Sequence, residues 1–230
     1  MKYLISGTTM QTLNIEMKKN DSVYAESGRM SWMSDNIVMK TKLRGGLIMG
    51  LRRKFAGESL FMTDFICESG TGIITFASEF PGKIIELDMT KIKNMVCQKD
   101  AFLCAEQNVK LDMLFRRKIG AGLFGGEGFI LEKLSGKGKA FVSVSGEIIE
   151  LSLAKGQSIR VNAGHMAMYE PTVDFDVQLI KGVKNIFFGG EGLFLATLTG
   201  PGKVWLQSMP IKKLARKISQ QLVPTGGLFG

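Results

Sequence analysis

The chain has 230 residues, 45% of them hydrophobic, so it is long enough to bury a core of its own. Lysine and arginine number 30 against 21 aspartate and glutamate, and the formal charge of +9 favours anionic partners only nonspecifically. Three cysteines without a C-x-x-C spacing argue against a disulfide framework and a thiolate metal site, and every apolar run is too short to span a bilayer. We therefore expect one cytoplasmic domain over residues 1–230.

Short apolar segments separated by turn residues predict strands along the first third of the chain. Two strands, near Tyr3–Ile5 and Thr12–Met17, come before a polar turn at 18–21. The glycine-rich, apolar and basic segment 44–57 interrupts the later pattern, and we interpret it as a structured loop because glycine disfavours a helix interior. The remaining predicted strands here are Val23–Glu26, Arg29–Met33, Ile37–Leu43, Leu60–Cys67, Ile73–Ala77 and Lys83–Asp88.

The segment GGEGLFL at 189–195 is the clearest of three related copies. The second copy, GGEGFIL, stands at 125–131, and the first, GESLFM, at 57–62. Aligning the two later copies gives an offset of 64 residues that places 82–144 on 146–208 without a gap. A fixed period indicates an architecture made by stacking one supersecondary unit. We predict three units, approximately at 22–81, 82–145 and 146–209.

Two strands of the later units, Val109–Met113 and Val173–Leu179, alternate apolar with charged or polar side chains, so one face of each should be buried. Further on, Ile211, Leu214, Ala215 and Ile218 recur at helical spacing. They predict a short carboxyl-terminal helix over 210–222 that begins at a proline. About a dozen and a half short strands with one helix predict an all-β fold, a squat sandwich or barrel in which few strand edges stay exposed.

The triplication, the apolar glycine loop at 45–47, the recurring Gly-Glu turn and the ending WLQSMP at 205–210 together resemble a known family. It is the altered-inheritance-of-mitochondria, or mitochondrial biogenesis, family, and the resemblance covers about 25–214. It implies a double-stranded β-helix, similar to the tryptophan RNA-binding attenuator protein (TRAP), with an internal threefold pseudo-repeat and assembly into symmetric trimers. It supplies no activity and no catalytic motif. The first residues lack the composition of a transit peptide, so a mitochondrial location is not expected.

Candidates for catalysis are few. His165 is the only histidine, and a metal site on a β-helix needs two or three with a carboxylate, so we favour a structural role. Glu58, Glu127 and Glu191 stand beside equivalent glycine turns, where a carboxylate accepts backbone N–H bonds; acid–base chemistry or cation binding is the alternative. The glycine-rich segment 120–128 lacks the Gly-Lys-Ser/Thr ending of a phosphate loop. We predict no catalytic, cofactor-binding or metal-binding residue.

Two basic triplets, again 64 residues apart, are the candidate contacts for an anion or a nucleic acid. In a threefold assembly they would be multiplied into a ring that binds phosphates with marked salt sensitivity. The simpler interpretation is that these charges keep the loops solvated. The residues are Arg52, Arg53 and Lys54 in the first unit and Arg116, Arg117 and Lys118 in the second.

The apolar glycine loops at 47–51 and 123–125 and the tail at 227–230 would form a patch at one end of the molecule. We expect this patch to lie in a subunit interface, because closed symmetric homo-oligomers are common. Contact with a membrane surface is the less favoured alternative.

The sequence therefore predicts a non-enzymatic, cytoplasmic, all-β protein that forms a homo-oligomer, with a trimer favoured. Its expected role is that of an assembly or protein-interaction platform. Nucleic-acid binding, in particular RNA binding, through the basic loops is the alternative function. A weaker alternative is a small-molecule-binding or hydrolytic enzyme with its site in the barrel mouth.

Overall fold

A computed structural model describes residues 1–43, 61–117, 129–179, 194–211, 213–215 and 218. The strands up to residue 77 are β1 (Lys2–Ser6), β2 (Thr12–Lys18), β3 (Ser22–Glu26), β4 (Trp32–Met33), β5 (Ile37–Leu43), β6 (Phe61–Cys67) and β7 (Thr71–Ala77). From there to residue 145 come β8 (Gly82–Asp88), β9 (Asn94–Gln98), β10 (Phe102–Glu106), β11 (Val109–Arg117), β12 (Phe129–Gly136) and β13 (Lys139–Ser145). The last strands are β14 (Ile148–Leu153), β15 (Ser158–Asn162), β16 (Met166–Tyr169), β17 (Asp174–Leu179), β18 (Phe194–Thr199) and β19 (Gly202–Gln207).

The helices of the described residues are short. They are α1 (Met89–Ile92) and two 3-10 helices, Lys99–Ala101 and Ala163–His165. Residues 211, 213–215 and 218 are also helical, in agreement with the helix predicted to begin at Pro210. The all-β prediction is therefore confirmed.

The strands form four antiparallel sheets, which we number from the amino-terminal end. Their strand orders are β1-β2-β7-β4 in the first, β5-β6-β3-β10-β13-β8 in the second, β11-β12-β9-β16-β19-β14 in the third and β15-β18-β17 in the fourth. Every sheet is open in the part of the chain that the structure describes, so the closed form of the predicted barrel is not observed there.

The second and third sheets each contain one short central contact, which we call a junction. Each junction joins strands that lie far apart in the sequence through only two residue pairs. The first, between β3 and β10, pairs Tyr24 with Ala105 and Val23 with Glu106. The second, between β9 and β16, pairs Cys97 with Met168 and Val96 with Tyr169.

Three hydrophobic cores lie between successive sheets. Core 1 joins the first sheet to the second and includes Ile15, Phe76, Phe65 and Phe141. Core 2 joins the second to the third and includes Tyr24, Val142, Leu134 and Met168. Core 3 joins the third to the fourth and includes Leu131, Val204, Val177 and Leu198. The sheets thus pack face to face in series, as in a layered sandwich.

The alternating pattern of the third unit is confirmed in β17, where Val177 is buried and Asp174 and Asp176 are exposed. The strand predicted over Arg29–Met33 is too long, since only the last two of those residues are extended in β4. The chain first completes a turn in which Gly28 has a φ of 90° and the Arg29 N–H donates to the Glu26 carbonyl.

Helix α1 was not predicted, because a single turn leaves no apolar periodicity to detect. Asp88 caps it, with its carboxylate accepting a hydrogen bond from the backbone N–H of Thr90. Lys93 ends it with a positive φ of 66°.

Candidate functional site

Two of the six candidate anion-binding residues lie within the described residues. Arg116 and Arg117 are the last two residues of β11 and lie opposite Ile130 and Phe129 of β12. The other basic residues and the equivalent glutamates lie outside the described residues: Arg52, Arg53, Lys54, Lys118, Glu58, Glu127 and Glu191. The apolar loops at 47–51 and 123–125 and the tail at 227–230 lie outside them too. The anion site therefore stays a prediction.

His165 takes part in a hydrogen-bond network at the end of β19. Its Nδ1 lies 2.8 Å from the backbone carbonyl oxygen of Gln207. The buried Gln207 side chain donates to the carbonyl of Gly164 at 3.0 Å and accepts from the N–H of Ser145 at 3.0 Å. These bonds tie the 3-10 helix Ala163–His165 to β13 and β19, which favours the structural role for the lone histidine.

Reactive groups of the described residues do not converge. No group of three or more histidine, cysteine, aspartate or glutamate side chains there is placed to hold a metal ion. Cys67, Cys97 and Cys104 are all buried free thiols, and burial raises the pKa of the Cys97 and Cys104 thiols well above the usual range. A buried thiol of raised pKa is a poor nucleophile.

A partly buried tyrosine connects the first sheet to the second. The Tyr3 hydroxyl donates a hydrogen bond to the Glu106 carboxylate, and the Tyr3 ring lies 5.1 Å from the ring of Phe141. Burial, followed by the bond to Glu106, raises the pKa of Tyr3 far above its usual range. The hydroxyl therefore remains a donor at any ordinary pH.

The outer face of the first sheet, on the side away from core 1, carries three large apolar side chains that are open to solvent. Their exposed fractions are 63% for Leu4, 56% for Trp32 and 48% for Ile73. We call these three residues the apolar patch. The strand register places Leu4, Asn14, Thr75 and Trp32 in one cross-strand row. Ile73 stands two residues from Thr75 on β7 and therefore on the same face.

Polar groups within this face satisfy one another. The Thr75 hydroxyl donates to the Asn14 side-chain oxygen at 2.7 Å, and the Lys2 ammonium lies 3.1 Å from the Glu16 carboxylate. Trp32 differs, because in the described part of the chain its indole N–H has no partner. What this face offers to another molecule is therefore mainly its apolar patch.

The opposite end of the stack is polar. On the fourth sheet, the exposed positions that point away from core 3 carry Ser158, Arg160 and Asn162 on β15 and Asp174 and Asp176 on β17. Between them on the same face lie the half-buried Leu195, Thr197 and Thr199 of β18. The apolar patch is thus a property of one end and not of terminal sheets in general. Exposed apolar patches rimmed by polar residues are typical of interaction sites.

The sequence reasoning did not identify this patch. Its signal was Trp32, a large aromatic residue between the polar Ser31 and Ser34. The alternation of large with small or polar residues around Trp32 was interpreted only as a strand pattern. The side of β4 that is covered depends on its pairing with β7, some forty residues further along the chain.

Comparison with known proteins identifies the family of this chain. The sequence profile of the mitochondrial biogenesis AIM24 family matches residues 3–209. The chain belongs to that family. The AIM24 match includes almost all of β1 and every later strand, and it stops just before Pro210, where the carboxyl-terminal helix begins.

Two proteins from Streptococcus pyogenes are similar to this chain. An uncharacterised protein of the serotype M6 strain is 28% identical over 218 residues, which cover 91% of this chain and 86% of the relative. An X-ray structure of a protein from the same species has a TM-score of 0.77 and 25% identity, and the match covers 96% of this chain and 99% of that one.

Proposed function

We propose that the protein is a non-enzymatic platform that associates with copies of itself in the cytoplasm, with a trimer favoured. The observation that carries this proposal is the apolar patch of Leu4, Trp32 and Ile73. Burying large apolar side chains is the main source of association free energy, and tryptophan is over-represented among the residues that dominate interfaces. Three unpaired thiols suit a reducing cytoplasm.

We further propose that the chain consists of three six-strand units that begin at β2, β8 and β14, with β1 added in front. The support is a pairing scheme that recurs three times. The first strand of each unit pairs with the sixth, the second with the fifth, the third with the sixth and the fourth with the fifth. One junction links each unit to the next, so the second and third sheets combine halves of two units, which supports the TRAP-like double-stranded β-helix.

Solution mass tests self-association. Light scattering coupled to size exclusion should give a mass near three times 25.3 kDa that persists at high salt, because apolar contacts are not screened. Absorbance at 260 and 280 nm on the same peak should show protein alone. A mass of 25.3 kDa at every protein concentration would contradict the proposal.

Nucleic-acid binding is the second candidate, favoured by the formal charge of +9 and by the basic end of β11 at Arg116 and Arg117. It has a separate signature in the same experiment. Nucleic acid would co-elute at low salt and leave at high salt, because phosphate contacts release counterions. If nucleic acid still co-elutes after all six triplet residues are changed to glutamine, the triplets are not the residues that bind it.

A small-molecule-binding or hydrolytic enzyme has the least support. Among the described residues, the His165 Nδ1 atom is engaged by a backbone carbonyl and the cysteines are buried. A catalytic base needs a nucleophile and an orienting partner within hydrogen-bond reach.

A further inference from the structure

We propose that the carboxyl-terminal helix, residues 210–222, binds the surface of an anionic membrane, with its axis in the plane of the surface. The occupant is the lipid bilayer itself. Its phosphate headgroups meet the basic side chains of the helix, and the boundary of its acyl chains takes up the apolar ones. This contact is separate from the apolar patch and does not depend on self-association.

The end of the chain is strongly basic. After Glu191 the sequence contains five lysine or arginine residues and no aspartate or glutamate. Four of the five lie within 210–222, so these thirteen residues supply +4 of the formal charge of +9 of the whole chain. They are Lys212, Lys213, Arg216 and Lys217. Clusters of about four or more basic residues on an amphipathic helix are typical of binding to anionic lipid.

Apolar side chains recur among these charges at helical spacing. Ile211, Leu214 and Ile218 are three and four residues apart, so they line one side of a helix. The positions of this row are helical in the structure, as are 213 and 215. A helix with an apolar row and with lysine or arginine on the remaining surface is typical of a segment that lies in the membrane interface.

The fold covers the start of this apolar row and leaves its continuation open. Ile211 and Leu214 are half-buried, whereas Ile218 is 52% exposed. Lys213 and Ala215 are exposed as well. An apolar row that the core of the protein covers only in part is available to another apolar phase.

The helix is attached to the folded domain at its first residue. Pro210 is buried, and a Cβ atom placed on Gly164 would lie 3.1 Å from the Cβ of Pro210. The Pro210 carbonyl accepts hydrogen bonds from the backbone N–H groups of Lys213 and Leu214, at 3.0 and 3.2 Å. The helix therefore begins at a fixed point beside the 3-10 helix Ala163–His165, and the most exposed apolar side chain, Ile218, follows two turns later.

The apolar row favours a membrane over a nucleic acid as the partner. Both present a dense layer of phosphate, and both attract basic residues. A phosphate backbone offers no apolar phase to Ile218, whereas a bilayer takes up the apolar face of such a helix to a depth of about 5–10 Å.

The helix would lie on the bilayer without crossing it. No helix in the described part of the chain is long and apolar enough to span a membrane. The thirteen residues of 210–222 are also fewer than the roughly 20 that a span needs, and four of them are charged.

Vesicle sedimentation tests the contact. The purified protein is mixed with vesicles of phosphatidylcholine alone, or of equal parts phosphatidylcholine and phosphatidylglycerol. At low salt it should sediment with the anionic vesicles and far less with the neutral ones, and rising salt should weaken the binding. No binding to the anionic vesicles at low salt, or equal binding to both kinds, would overturn the inference.

Neutralising one lysine measures the charged part of the contact. Lys213→Gln should weaken binding to the anionic vesicles about fivefold, because one basic residue near such a surface contributes about 1 kcal/mol. Lys110→Gln is the matched control, since Lys110 is exposed on β11, at the far edge of the third sheet from β19. It should leave binding unchanged. Equal weakening in both variants would mean that the overall charge binds and not the helix.

Substitution of Ile218 measures the apolar part. Ile218→Asp should weaken binding at least about tenfold, because it removes an apolar side chain from the interface and adds a charge that the lipid repels. Leu114→Asp, 50% exposed on β11, should bind like the native chain. Ile218→Trp should bind at least as tightly as the native chain, because tryptophan is favoured at the membrane interface. This variant keeps the test valid if aspartate disrupts the helix.

Two further results would overturn the inference. Native binding by Ile218→Asp, together with loss in Lys213→Gln, would mean a purely electrostatic contact, as with a nucleic acid. A lower solution mass of Ile218→Asp in light scattering would mean that the helix lies in a subunit interface. A native protein that is monomeric and still binds the anionic vesicles would contradict the proposed self-association and support the membrane contact.

Discussion

Tyr3 secures the amino-terminal strand through one hydroxyl, and its removal should be costly. Tyr3→Phe leaves the partly buried Glu106 carboxylate without this donor while keeping the ring contact with Phe141. Hydrogen bonds to charged groups contribute about 1.5–3 kcal/mol, so we expect a loss of that size in the free energy of unfolding, measured in urea.

Tyr169→Phe is the matched control for this substitution. The Tyr169 ring stacks on Phe175 at 5.4 Å, and within the described residues its hydroxyl makes no hydrogen bond. Its loss should change stability by less than about 0.5 kcal/mol. Equal losses in the two variants would show that the Glu106 bond does not stabilise the fold.

His165 and Trp32 show which features of the site could be predicted from the sequence. The structural role of His165 stays a prediction, and the contact of its Nδ1 with the Gln207 carbonyl oxygen favours it. The exposure of Trp32 was not predictable, because a tryptophan in a short apolar strand is usually buried. In the structure β4 is an edge strand of the first sheet, and the order of strands in a sheet is not a local property of the sequence.

At the level of the elements, the turn between β12 and β13 depends on a glycine in the left-handed region. Gly136 has a φ of 98°, and a Cβ atom placed there would lie 2.3 Å from the backbone oxygen of Asn108. Gly136→Ala therefore adds a clash with the backbone to the strain of a positive φ. The strain alone costs about 1–2 kcal/mol.

Gly28 permits the two contributions to be separated. Its φ is 90°, and nothing lies within 4 Å of the corresponding Cβ position. Gly28→Ala should show the strain alone, and Gly136→Ala should lose at least about 1 kcal/mol more, because forced backbone shifts carry their own cost. Thermal or urea unfolding of both variants checks this, and indistinguishable losses would contradict the clash.

Most strands were predictable because alternation and turn residues are local signals. β17 is the clearest case, since apolar and charged residues separate onto two faces over residues 173–177. The junctions were not predictable. β3 and β10 are joined through two residue pairs, and the partners in each pair are about eighty residues apart in the sequence. Turn residues specify only which neighbouring strands pair.

At the scale of the whole molecule, the order of the three cores predicts which sheets are destabilised when one core is weakened. Leu134 in core 2 and Leu198 in core 3 are both 0% exposed, and truncating either to alanine should cost about 2–5 kcal/mol. Leu134→Ala weakens core 2, which lies between core 1 and core 3. Leu198→Ala weakens only the end of the stack.

Hydrogen exchange of the backbone amides distinguishes the two cases. Leu134→Ala should increase exchange in all four sheets, whereas Leu198→Ala should increase it in the third and fourth sheets and leave β2 and β7 protected. Units that contact only their neighbours behave in this way. Equal loss of protection in β2 and β7 for both variants would mean that the chain unfolds as one cooperative block.

The 64-residue offset is the sequence observation behind the proposed repeated unit. It did not reveal that the sheets divide between units, since a period gives the length of a unit and not its partners. The family resemblance supplied the fold expectation that periodicity alone lacked, and the AIM24 match confirms that membership.

The amino-terminal strand also governs how the protein resists aggregation. β1 pairs with β2 through five residue pairs and so covers one edge of β2. Exposed edges recruit strands from other molecules and can template fibril growth. The two edges of the first sheet are therefore β1, which is five residues long, and β4, which is two residues long. A molecule whose β1 has been cleaved or displaced would present seven residues of β2 instead, and that damaged species is the one expected to nucleate aggregates.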